Sequence, residues 1–157
     1  MEQEFVEDIR ELLASDAVQR LKNYPHHKRV TRFEHSLYVA YRSYRLAKWL
    51  GWDSAAAARG GMLHDLFFYD WRVKVPGRGW HVTAHPRQAL REAQSRFPLS
   101  AVERDIIVTH MWPLAPARPH YRESYAVMLM DKYCAVMECL SLSKKKLRRL
   151  GLTKLAI

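Results

Sequence analysis

Strict alternation of apolar and polar residues is missing along this chain, so no segment reads as a half-buried β-strand. Long apolar runs are missing too: none approaches the roughly 18 to 20 residues that span a bilayer. There is no internal repeat, low-complexity stretch or Gly/Ser linker. The 157 residues therefore fit one ordinary domain with a single well-buried core. Cysteine is scarce. Cys134 and Cys139 are five positions apart in one expected helix and point to different faces, which excludes a disulfide between them. A buried, reduced pair is the expectation. The N-terminus, Met1-Glu2-Gln3-Glu4-Phe5, is acidic where a secretory signal would be basic and then apolar, so the chain is expected to be cytoplasmic.

What the chain does have is a hydrophobic fraction of 48% and a charged fraction of 27%, the proportions of a soluble globular protein. Its formal charge of +10 is gathered in three places. These are Lys28-Arg29 with Arg32, then Arg72, Lys74 and Arg78, and finally Lys144-Lys145-Lys146 with Arg148-Arg149. Such fields favour any polyanion, a small phosphate ester as much as a nucleic acid.

Seven helical stretches are expected. Phe5, Ile9, Leu12 and Leu13 form the stripe of an amphipathic helix between Glu2 and Lys22, ended by Tyr24-Pro25. From Phe33 to Leu50 apolar residues occupy two faces, the pattern of a central helix, and Gly51 terminates it. Asp53 is an N-cap for a helix rich in small residues, through Gly60-Gly61 to His64, against which another helix can pack closely. Tyr69 to Thr83 lacks helical period and reads as a loop of functional length. A helix is expected to start at Pro86 and end near Phe97-Pro98. Ser100 and Glu103 form a capping box for the next, which reaches Met111. Leu114 to His120 is a loop, Tyr121 to Leu140 a long helix, and Ser143 to Leu150 a short basic one. The expected fold is an all-α, single-domain bundle of six to seven helices over residues 1–157.

Eight histidines is a high number for this length, and their placement carries the chemistry. His64-Asp65 closes a helix whose approach is apolar. Two adjacent ligating side chains point in different directions, and a carboxylate can bridge two ions about 3.5–4 Å apart. His35, His85, His110 and Asp131 stand at helix positions elsewhere. Imidazoles mixed with carboxylates suit iron, manganese, zinc or cobalt better than magnesium or calcium. None of the six is at the i, i+4 spacing of a helix-borne zinc pair, and the plain alternative for each histidine is a hydrogen-bonded core or surface residue.

The order His35, His64-Asp65, His85, His110, Asp131 resembles the HD-domain superfamily of metal-dependent phosphohydrolases. Thr-Arg-Phe-Glu-His ending at His35 looks like its first-ligand helix, and Gly-Met-Leu-His-Asp ending at Asp65 like its signature doublet. Val-Thr-His ending at His110 and Leu-Met-Asp-Lys from 129 to 132 resemble the later ligand segments. The likeness covers about residues 30 to 140. It implies a ligand core of His35, His64, Asp65 and Asp131, with His85 and His110 as in the two-metal branch and Asp65 bridging. His81 is the rival for the place of His85; His26, His27 and His120 read as loop residues. The doublet is followed by Leu66-Phe67-Phe68, and no Gly-Tyr-Pro segment occurs, which argues against a cyclic dinucleotide phosphodiesterase of the HD-GYP type.

The resemblance implies two divalent ions, iron or manganese first, with zinc, cobalt, nickel or magnesium as alternatives. It also implies hydrolysis of a phosphoester or phosphoanhydride in a nucleotide or other small phosphate compound. Asp65 and Asp131 would be the catalytic carboxylates, either taking a proton from water. Arg32, Arg29 and Lys132 are the expected phosphate contacts. The loop from Arg72 to His81 would close over the substrate, with Trp71 or Trp80 stacking on a base. A di-iron oxygenase would use the same ligands. A non-enzymatic nucleic-acid-binding module would instead show salt-sensitive affinity and no need for metal. Either a monomer or a homodimer is compatible with the sequence.

Overall fold

Thr31 and Glu34 open α4 (Arg32–Trp49), the long helix against which the helices over Ser54–Leu63 and Arg122–Cys139 pack. The Thr31 hydroxyl accepts from the Glu34 N–H at 3.2 Å, and the Glu34 carboxylate accepts from the Thr31 N–H at 2.8 Å. This reciprocal capping box satisfies two donors that a helix start otherwise leaves unpaired. The computed structural model describes residues 2–26, 30–73 and 79–140. In chain order its elements are α1 (Glu2–Asp8), α2 (Arg10–Ala14), α3 (Asp16–Gln19), a 3₁₀ turn (Arg20–Asn23) and α4 (Arg32–Trp49). There follow α5 (Ser54–Leu63), α6 (His81–Gln94), α7 (Ala101–Thr109) and α8 (Arg122–Cys139). The fold is an all-helical bundle, and among the described residues no strand forms beyond one bridge between Pro25 and Thr31.

On α4 the first apolar face, Phe33, Leu37, Ala40, Tyr44 and Ala47, is closed off; of the second, Val39 is buried, Leu46 half-buried and Leu50 exposed, because the helix end runs out of the core. Gly51, at φ 67°, ends it, and Trp52 N–H bonds back to Ala47 O at 2.8 Å, the Schellman closure. Asp53 caps α5 through Ala56 N–H at 2.9 Å. α4 and α5 meet backbone to backbone. A Cβ on Gly61 would lie 2.9 Å from Ala40 Cα, so only glycine fits there. That contact sets where α5 delivers its last residues.

The first 22 residues depart from the single helix expected. The chain bends at Ile9 (φ −111°, ψ 8°) and again at Ser15 (φ −79°, ψ 130°). A straight helix is tangent to a core; the bends let Phe5, Ile9, Leu12, Val18 and Leu21 all reach full burial. Each such side chain contributes on the order of 1.5–3 kcal/mol. The helix expected at Pro86 begins five residues earlier. Trp80 is extended and its carbonyl accepts from Ala84 N–H at 3.0 Å, so Pro86 stands inside α6. Cys134 is buried but Cys139 is exposed, which corrects the expected buried pair. The basic stretch 143–150 and Arg29 lie outside the described residues. No helix among the described residues is long and apolar enough to cross a membrane.

Gly61→Ala is expected to lower stability by about 1–3 kcal/mol in urea melts, because Ala40 backbone cannot yield. Gly60→Ala should cost less, since the nearest atoms its new Cβ meets, at 2.7–3.0 Å, belong to the Ile106 side chain and not to backbone. The reverse order would contradict this packing.

Candidate metal centre

Helix ends deliver most of the cluster. His64 is the C-cap of α5 and His110 the C-cap of α7. Each turns back so that Nδ1–H donates to a carbonyl three residues earlier: His64 to Gly61 O at 2.7 Å and His110 to Ile107 O at 2.8 Å. Carbonyls of a last turn lack helical partners, so these bonds satisfy groups that would otherwise need water. His85, in α6, donates likewise to His81 O at 2.8 Å. His35 lies near the start of α4 and Asp131 in the middle of α8.

A carbonyl oxygen only accepts, so each Nδ1 of His64, His85 and His110 carries a proton, and in a neutral ring Nε2 presents a lone pair. Those Nε2 atoms converge. His85 Nε2 and His110 Nε2 are 2.9 Å apart, 3.4 and 3.7 Å from Asp65 Oδ1. His64 Nε2 has no hydrogen bond and lies 3.6 Å from Asp131 Oδ1 and 3.9 Å from Asp65 Oδ2. His35 Nε2 is 3.0 Å from Asp131 Oδ1. All six side chains are buried. Nitrogens and carboxylates gathered this closely could hold a metal ion.

The electrostatics divide the cluster: against the cost of burial, Glu138 and Asp131 push His35 up to about 10, and Asp65 with Asp131 raises His64. Burial, then repulsion from His64 and His85, pushes His110 down to about 3, and burial lowers His85; both are neutral. Burial opposes ionisation of Asp65 and Asp131, yet the surrounding imidazoles hold both well below the usual carboxylate range. α5 and α7 also aim the negative ends of their dipoles here, which favours positive charge. Three overlapping donor groups have ligand atoms within 4.8 Å of one another: His35, His64 and Asp131; His64, Asp65 and His110; and His26, His35 and Asp65. Nitrogen and carboxylate donors of this kind fit iron, manganese, zinc or cobalt.

The six sequence-predicted ligands thus come together, while the predicted phosphate contacts divide. Arg32 is fully buried; its guanidinium lies 3.5 Å over the Phe67 ring and donates to Phe67 O and Tyr69 O. It fastens the loop after the His-Asp doublet and is no part of the cavity wall, which differs from the distal-phosphate role expected. Lys132 does line the cavity, with Nζ donating to His110 O at 2.8 Å. Trp71 lines it as well, whereas Trp80 is exposed. His81 and His85 both line the cavity and both lie outside the three donor groups; His85 Nε2 reaches Asp65 Oδ1 at 3.4 Å, while His81 stacks on the His85 ring and bonds with Tyr69. His120 bonds Asp105 at the surface.

Two participants escaped the sequence reading. Glu138, buried in α8, bonds His35 Nδ1 at 2.8 Å and His26 Nδ1 at 2.9 Å. Its signal was available: it follows Asp131 by seven residues, two helical turns, and so shares its face. His26 had no local signal, since a loop places it. Comparison of the chain with family models, with curated proteins and with solved structures finds no match.

Chelation of the purified protein is expected to lower its melting temperature by several degrees, and Mn²⁺ or Fe²⁺ to restore it. Differential scanning calorimetry checks this; a melting curve indifferent to chelator and metal would contradict it.

Proposed function

We propose that the protein is a metal-dependent phosphohydrolase acting on a phosphoester or phosphoanhydride of a nucleotide or another small phosphate compound. Two divalent ions, iron or manganese first, would be held by His35, His64, Asp65, His85, His110 and Asp131. The observation that carries the reading is that this buried donor cluster opens onto a cavity of about 280 Å³ with Asp65, Asp131 and Lys132 in its wall. The likeness of the ligand order to HD-domain phosphohydrolases supports it.

Divalent ions bound there would supply Lewis acidity, making a water more acidic and offsetting phosphoryl charge. The chain's own residues do the rest. Asp65 and Asp131 line the cavity, where either would take a proton from a water that the ions have made more acidic. Lys132 offers a cation to a phosphoryl oxygen, tethered by its bond to His110 O. Phe67 and Trp71 present flat apolar surface suited to a nucleobase. Arg32 holds Phe67 from behind and so fixes one wall.

One observation favours a second reading. Lys132 is the one lysine or arginine in the wall of that cavity among the described residues, and much of the rest is apolar, which also suits a di-iron oxygenase. Phosphate release from nucleotides and from bis(p-nitrophenyl) phosphate, by metal-loaded protein, separates the two. Hydrolysis is expected, with Asp131→Asn lowering kcat at least about 100-fold. Lys132→Met should raise KM roughly tenfold. Oxygen uptake by the iron-loaded protein without phosphate release from any substrate would transfer the assignment to the oxygenase.

A further inference from the structure

One buried carboxylate holds two imidazoles in parallel. Glu138 accepts from His35 Nδ1 through Oε1 at 2.8 Å and from His26 Nδ1 through Oε2 at 2.9 Å. Its side chain is fully buried. The two rings stack with centroids 3.7 Å apart and planes 20° apart. Because both Nδ1 atoms face Glu138, both Nε2 atoms are turned away from it, towards the aspartates. His35 Nε2 meets Asp131 Oδ1 at 3.0 Å, and His26 Nε2 lies 3.8 Å from Asp65 Oδ2.

His26 is also anchored. Its N–H donates to Val30 O at 2.8 Å, beside the Pro25–Thr31 bridge that leads into α4. The side chain is 12% exposed and stands in the cavity wall. The Asp65 carboxylate is therefore addressed from both of its oxygens. His85 and His110 face Oδ1, while His26 and His64 face Oδ2.

We propose that His26 is a further ligand of the metal centre, donating Nε2 to a divalent cation shared with His35 and Asp65, and that Glu138 is the positioning residue that aims both imidazoles. The proposal rests on the metal centre argued above and extends its ligand set by one side chain. A carboxylate behind a ligating histidine fixes the ring and raises its basicity. Here a single carboxylate serves two rings, so its loss disturbs two donors together.

Titration of the metal-free full chain with Co²⁺, followed by visible absorption, tests this, because the cobalt bands report the donor set directly. Wild type is compared with His26→Ala, His26→Gln and Glu138→Gln. His26→Gln retains an N–H for Glu138 but no imidazole, so a merely structural role survives it and a ligand role does not. Both His26 variants are expected to bind Co²⁺ roughly tenfold or more weakly and to shift the visible bands. Glu138→Gln is expected to lose at least as much, since a carboxamide accepts from one imidazole and turns its own NH₂ towards the other. Wild-type affinity and spectrum in His26→Gln would overturn the assignment of His26 while leaving the centre intact. Failure of the wild type itself to take up Co²⁺ would overturn the centre and this ligand with it.

Discussion

Three hydrogen bonds from imidazole Nδ1 to main-chain carbonyls govern this molecule's chemistry. His64, His85 and His110 each spend a proton on a backbone oxygen, which leaves three Nε2 atoms facing one another and two carboxylates. A metal ion could be held among these donors.

The bundle exists in the form that makes this constraint hold. The close approach of Gly61 to Ala40 fixes the height at which α5 ends, and so the positions of His64 and Asp65 against His35 on α4. Arg32, three residues before His35, reaches across to the carbonyls of Phe67 and Tyr69 and pins the chain just past the doublet. Its guanidinium is buried against an aromatic ring, an arrangement in which arginine outperforms lysine because its planar fork bonds two carbonyls at once. α7 and α8 complete the enclosure with His110, Asp131 and Glu138.

Much of this was legible in the sequence. The caps at Asp53 and Ser100 and the stop at Gly51 are local chemistry and appear where the residues place them. The ligand order was legible through its resemblance, and the structure gathers those six side chains into one cluster. What was not legible depends on tertiary contact. The bends at Ile9 and Ser15 arise because the N-terminal segment must follow a curved core. Trp80, not Pro86, starts α6, a preference that the proline's own tendency concealed. Arg32 looked like a surface cation because charge in a sequence carries no burial. His26 is brought into the cluster by tertiary contacts, a bond to Glu138, 112 positions away, and stacking on His35.

Metal content per chain, measured by mass spectrometry on tag-free wild type beside Asp65→Ala, tests the central claim most directly. Asp65 faces His64, His85 and His110, so the account predicts about two equivalents of iron or manganese in the wild type and loss of both in the variant. A wild type that holds no metal, even after anaerobic reconstitution, would contradict it.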